Sequence, residues 1–92
     1  MSKVVLKGFI KVPQEDLATV LKELPNHIAL TRKESGCVVF NVAQVEGDDH
    51  TFNVYEEFND KASFEQHQKR VRTSKWGSIT RNVQRHYEIE GA

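Results

Sequence analysis

The chain has a single cysteine, Cys37, so it cannot form an internal disulfide, and a reducing compartment suits it. Net charge is also missing: thirteen Lys and Arg balance thirteen Asp and Glu. That balance removes the long-range attraction by which nucleic-acid and anionic-membrane binders gather their targets. It does nothing to discourage self-association. No apolar run approaches the roughly 20 residues needed to cross a bilayer. The start, MSKVVLKGFIKV, lacks the apolar core and small-residue cleavage site of a secretory signal. Together these absences set the expectation of a cytoplasmic protein without nucleic acid or membrane as partner. The nucleotide and redox motifs G-x-G-x-x-G, G-x-x-x-x-G-K and C-x-x-C do not occur. The four histidines form neither H-x-x-x-H nor H-E-x-x-H, so no metal site is expected.

What is present reads as one domain over residues 1–92 with a modest core. Val4 to Val12 alternates, with Val4, Leu6, Gly8, Ile10 and Val12 on one face of a strand. Pro13 to Asp16 starts a helix, and Leu17, Val20, Leu21, Leu24 and Ile28 mark its buried stripe. Pro25 lacks an amide hydrogen and should kink that helix or open a second one. Gly36 is expected to end the segment in the left-handed cap conformation. Cys37 to Val45 is a strand with Val38, Phe40 and Val42 on one face. After the polar turn Glu46-Gly47-Asp48-Asp49, His50 to Phe58 returns. On it Phe52, Val54, Glu56 and Phe58 share a face, so Glu56 interrupts an apolar row.

Asn59 or Asp60 caps a short helix that carries Phe64 and His67 on one side and ends near His67. Thr73 or Ser74 opens a further helical piece with Trp76, Ile79 and Val83, where Gly77 leaves space beside the indole. Arg85, Tyr87 and Ile89 alternate with His86 and Glu88 in a last strand. Strand, helix, strand, strand, helix, strand fits an α+β, ferredoxin-like four-stranded antiparallel sheet with helices on one face. The other face would present Lys7, Phe9, Asn53, Tyr55 and Tyr87. A second copy packed sheet to sheet would cover it, so a homodimer through the open sheet face is expected.

Several side chains admit a chemical as well as a structural reading. His67, on the same side as Phe64 and within reach of Trp76, suits a general base or an oxyanion donor, or a satisfied histidine between helices. Trp76 is either core or the wall of a pocket in which its ring NH orients an oxygenated ligand. Glu56 is expected to be a buried carboxylate paired with Arg72 or another cation. In the run Lys69 to Lys75, KRVRTSK, Arg70 or Arg72 either faces solvent or steers an anionic substrate toward Trp76. Cys37 reads as a buried thiol, because no base is close in sequence.

Thr31-Arg32, Glu34-x-Gly36-Cys37, Phe40, Phe52-x-Val54-Tyr55-Glu56-x-Phe58, Asp60-x-x-x-Phe64-x-x-His67 and the trailing Trp76 resemble the antibiotic biosynthesis monooxygenase-like family. The resemblance covers nearly the whole chain. It implies a dimeric α/β barrel with one pocket per subunit. It also implies oxidation of a quinol or polycyclic phenol by molecular oxygen, with no cofactor, neither metal nor flavin. His67 would then be the base or anion-stabilising donor and Trp76 would orient the ring. Glu56 would stand behind them, with Phe64, Arg70 and Arg72 near the small aromatic ligand. Relatives of the same family degrade haem or isomerise a phosphorylated signalling sugar. The haem-degrading pattern has an asparagine on the first strand, a tryptophan in the second helix and a histidine beyond it. Here Lys7, His67 and Trp76 or Gly77 take those places, which argues against haem degradation. A phosphosugar isomerase or a small-molecule-binding domain without turnover stand as alternatives.

Overall fold

The computed structural model describes residues 3–91. Residues 1, 2 and 92, the ends of the expected domain, lie outside the described residues. Strand β1 (Val4–Lys11) leads through a single 3-10 turn (Gln14–Asp16) into helix α1 (Leu17–Arg32). Then follow β2 (Cys37–Val45), β3 (Asp48–Phe58), α2 (Lys61–Arg72), α3 (Lys75–Ile79) and β4 (Gln84–Glu90). The sheet order is β2-β3-β1-β4, and each neighbouring pair is antiparallel. This is the α+β, ferredoxin-like arrangement expected from the order of elements.

Alternation builds the core. Val4, Leu6 and Ile10 on β1 and Phe52, Val54, Glu56 and Phe58 on β3 are all buried on the helix-covered face. Each large apolar side chain removed from water there contributes about 1.5–3 kcal/mol. The α1 stripe differs from expectation in one place: Leu21 is 41% exposed, whereas His27 and Thr31 are buried with Val20 and Leu24. The buried line therefore runs 20, 24, 27 and 31, and it takes in a histidine. Pro25 does not open a second helix. The helix continues through it, the proline simply offering no amide hydrogen to the Leu21 carbonyl.

Three local readings are corrected. Gly36 is not a left-handed cap, since positive φ is confined to Gly8, Gly47 and Gly91 among the described residues. Its role is close approach: a Cβ at Gly36 would stand 2.1 Å from Ser63 Oγ, so the α1–β2 connection can lie against α2. On β2, Cys37 pairs with Phe58 but Val39 with Glu57, which makes Val38 an extra residue turned outward and 50% exposed. The polar turn is shorter than expected, with β3 beginning at Asp48.

Register also reassigns the open face. Residues directly opposite one another share a face. Tyr87 pairs with Gly8 and packs on the core, so it leaves the expected aromatic surface. His86 pairs with Phe9 instead and stacks on it at 4.6 Å between ring centres. Lys7, Phe9, Asn53, Tyr55 and His86 remain on that face.

Candidate active site

Asp60 caps α2 by accepting a hydrogen bond from the Ser63 amide at 2.8 Å, which fixes where the helix begins. The helix runs past His67 to Arg72, longer than the sequence pattern suggested. From this start Phe64 and His67 both point inward and are buried. Ser74 caps α3 by accepting from Gly77 N at 3.1 Å and so turns Trp76 into the core. Val83 lies beyond the end of α3 but is buried as expected. Gly77 serves a close approach of the two helices. A Cβ there would stand 2.1 Å from the Val71 carbonyl oxygen, so the glycine lets α3 fold tightly against the end of α2.

These helices and the core face of the sheet line a chamber of about 90 Å³. His27, Phe40 and Trp76 supply rings to its wall, and Glu56, His67 and Tyr87 supply its polar groups. His27 lies parallel to the Trp76 indole, 4.4 Å between ring centres.

His67, 4% exposed, organises the polar side. Its Nδ1 is 3.1 Å from Glu34 Oε1, and Glu34 is in turn ion-paired to Arg70 Nε. Arg70 also donates from Nη2 to Thr31 Oγ1 at 3.0 Å. A carboxylate can only accept, so the imidazole proton sits on Nδ1 and Nε2 carries the lone pair. Nε2 stands 3.9 Å from Glu56 Oε1, too far for a hydrogen bond but close enough for one charge to sense the other.

Electrostatics follow from who has a partner. Glu56 has no Lys or Arg partner, and burial, aided by the Glu34 charge, pushes its carboxyl up to about 8. Burial lowers His67, and Glu34 opposes that shift. Burial, then the charges of His67 and Arg70, brings His27 down to about 3. Its Nδ1 has no hydrogen-bond partner. Burial and then Glu56 raise Tyr87 to about 12, with Arg85 pulling the other way. The chamber thus holds a neutral imidazole beside a carboxyl that is largely protonated near neutral pH. Cys37 is half-buried, and burial raises its thiol further, the opposite of an activated nucleophile.

Of the residues singled out in the sequence, His67, Glu56 and Trp76 converge on the chamber. Phe64 does not line it; the ring packs edge-on against Phe58, 5.7 Å between centres. Arg70 is committed to Glu34 and Thr31, outside the chamber. The expected Glu56–Arg72 pair does not form: Arg72 lies at the last turn of α2 and lines a separate outer recess. Sequence reasoning missed His27, Glu34 and Arg85 as site residues. His27 was findable, since it falls three positions after Leu24 on the buried stripe. Glu34 lies 33 residues from His67 in a connecting loop, where no periodicity points to a partner.

A sequence profile of the antibiotic biosynthesis monooxygenase family matches residues 3–76. No curated protein sequence matches the chain. Among solved structures, a conserved protein of unknown function from Bacteroides thetaiotaomicron, described as a possible oxidoreductase, is 17% identical. It superposes with a TM-score of 0.80 over 96% of this chain and 95% of its own. A protein from Pseudomonas aeruginosa is 24% identical, with a TM-score of 0.74 over 98% and 91% of the two chains. A candidate antibiotic biosynthesis monooxygenase from Nitrosomonas europaea is 15% identical, with a TM-score of 0.79 over 99% and 98%. At these identities the likeness is one of fold.

Proposed function

Because the chain belongs to the antibiotic biosynthesis monooxygenase family, we propose that it oxidises a quinol or polycyclic phenol with molecular oxygen at the His67–Glu56 chamber. The reaction draws on the substrate's own electrons. A quinol gives up two protons and two electrons, and oxygen takes both to become hydrogen peroxide. An anthrone-type methylene instead gains one oxygen atom as a carbonyl, and the second oxygen atom leaves as water. In either case the slow event the protein can assist is removal of the first proton, since the resulting anion reacts with oxygen far more readily than the phenol.

One observation carries this reading: the buried His67 lines the chamber with Nε2 toward Glu56 while its Nδ1 lies 3.1 Å from Glu34 Oε1, which leaves Nε2 as the free base of the neutral ring. Nε2 takes the phenolic proton. The imidazolium formed is stabilised by Glu34 on its far side, as the carboxylate partner of a catalytic histidine does. Glu56, protonated near neutral pH, adds no negative charge against the developing anion and can donate to it. Trp76, backed by the parallel ring of His27, offers a flat wall against which an aromatic ring lies.

The open face of the sheet supports a homodimer as part of the same proposal, with Phe9, Tyr55 and His86 at the contact and a barrel as its result. A monomeric mass by light scattering at micromolar concentration would remove it. A cytoplasmic location, proposed with it, rests on the lone thiol; no helix of the described residues is long and apolar enough to cross a membrane. The reaction itself is tested by aerobic oxygen uptake with naphthohydroquinols and anthrone-type phenols, corrected for spontaneous oxidation. Saturable uptake above the blank is expected, and uptake equal to the blank across the panel would overturn the proposal.

A further inference from the structure

The chamber is smaller than the substrate proposed for it. Its volume is about 90 Å³, below the ~150 Å³ of an apolar cavity that takes up benzene. Beside it lies an open recess of about 380 Å³, lined by Gln68, Val71, Arg72, Gly77 and Arg85. Gln68, Val71 and Arg85 belong to both walls, so the two spaces adjoin across these side chains. A ligand whose reacting edge enters the chamber must leave the rest of its bulk in the recess.

That recess has a definite chemical character. Two guanidinium groups line it and no carboxylate does. Neither Arg72 nor Arg85 forms an ion pair among the described residues, whereas Arg70, two positions before Arg72 in the last turn of the helix, is ion-paired to Glu34. Among the described residues the partners of Arg85 are neutral: Thr80 Oγ1 at 2.9 Å, the carbonyls of Thr80 and Val83 at 3.3 and 3.4 Å, and the un-ionised Tyr87 hydroxyl. Those bonds hold the side chain in place and leave its charge uncompensated. Arg72 stands exposed at the other side of the recess. A pair of uncompensated guanidinium groups facing one recess is the arrangement that recognises an oxyanion, through charge-assisted and often two-pronged hydrogen bonds.

We infer that the site takes an anionic hydroxyaromatic compound. Its hydroxyl-bearing edge reaches His67 and Glu56, and its oxyanion substituent rests between Arg72 and Arg85 in the outer recess. The inference rests on reading His67 and Glu56 as the reacting end, and it adds the substrate class. The division of labour is physically consistent: the inner end is kept neutral by burial, so an anion is attracted to the mouth and not repelled at the far end.

The test reads binding without turnover, so that it stands apart from the oxygenase assignment. Under argon, isothermal titration calorimetry compares 2-naphthol with 6-hydroxy-2-naphthoate and with the corresponding 6-hydroxy-2-naphthalenesulfonate. At least one of the two anionic probes is expected to bind about tenfold more tightly than 2-naphthol, with an affinity that falls as salt is raised. Arg72→Gln should reduce that preference severalfold. Arg85→Gln should do the same, and Arg85→Lys, which keeps a charge in place of the guanidinium bonds to Thr80 and Val83, should retain part of it. Equal affinity for all three probes, no measurable binding of the anionic ones, or a preference unchanged in the Arg72→Gln/Arg85→Gln double variant would overturn the inference. Oxygen uptake equal to the blank in the unsubstituted protein, together with a retained anion preference, would sink the oxygenase assignment and leave the anion site standing.

Discussion

The two nitrogens of His67 face regions of opposite character. On the Nδ1 side, Glu34, Arg70 and Thr31 form a closed set in which the carboxylate meets both a guanidinium and an imidazole proton. On the Nε2 side, Glu56 and His27 are buried and Tyr87 partly so, with no Lys or Arg ion-paired to any of them among the described residues. Burial acts on both sides and gives different results. On the Nδ1 side Glu34 opposes the effect of burial on His67. On the Nε2 side burial dominates and favours the neutral forms: Glu56 moves to about 8 and His27 to about 3, and Tyr87 reaches about 12 even though Arg85 pulls it down. A base placed on that boundary has one nitrogen anchored by charge and the other looking into a neutral chamber, which lets it take a proton from a bound phenol.

The strongest way to break this comparison is to remove the group that spans it. His67→Ala should lower oxygen uptake with a naphthohydroquinol by about 10²–10⁴-fold while circular dichroism still reports the folded sheet and helices. Uptake within a few fold of the unsubstituted protein would mean that the boundary has no catalytic meaning.

The neutral side makes a thermodynamic prediction that does not depend on any substrate. Glu56 binds its proton more tightly folded than unfolded, so between its ordinary 4.5 and about 8 it makes stability fall as pH rises. His27 does the reverse between about 3 and its ordinary 6.5, because the unfolded state holds the proton there and the folded state does not. Each effect amounts to about 1.4 kcal/mol per pH unit within its window. The two oppose one another up to pH 6.5, and above it Glu56 acts alone. Urea unfolding should therefore show stability declining from there toward pH 8. Glu56→Gln should flatten that decline, and His27→Gln should flatten the rise on the acid side. An alkaline limb unchanged in Glu56→Gln would show that this carboxyl is not the group held neutral.

A smaller effect tests the charged side. Glu34→Gln keeps an acceptor for Nδ1 but removes the charge that supports the imidazolium, so uptake should fall about tenfold. Glu34 raises the His67 pKa against burial. Its loss should move the acid limb of the pH–rate profile to lower pH, a shift that mere loosening of the loop would not produce. The weakest perturbation is Thr31→Val, which deprives Arg70 of one hydrogen bond. About 0.5–1.5 kcal/mol of stability should be lost in urea unfolding, with little movement of the acid limb. A shift as large as that of Glu34→Gln would mean that Thr31, not the carboxylate, sets the histidine.

Much of this architecture was legible along the chain. The alternation of Val4 to Val12 and of Phe52 to Phe58, the caps at Asn59 or Asp60 and at Thr73 or Ser74, and the three-residue spacing of Phe64 and His67 are local relations. Backbone geometry of period two or 3.6 turns such relations directly into faces. The order of elements then left the ferredoxin-like sheet as the natural arrangement, and the isolated polar residues on buried faces, Glu56 and His67, stood out against their apolar neighbours.

The pairing of those residues was decided only in three dimensions. A bulge of one residue at Val38 and a register that sets Tyr87 opposite Gly8 determine which side chains reach the core, and neither has a signature in composition. Electrostatic partners obey no period either: Glu34 meets His67 across 33 residues, while Arg70 and Arg72, two positions apart on one helix, fall on different recesses. Periodicity fixes the direction in which a side chain leaves its own strand or helix. Which charge it meets there depends on how separate elements pack, and that is the information the tertiary structure alone supplied.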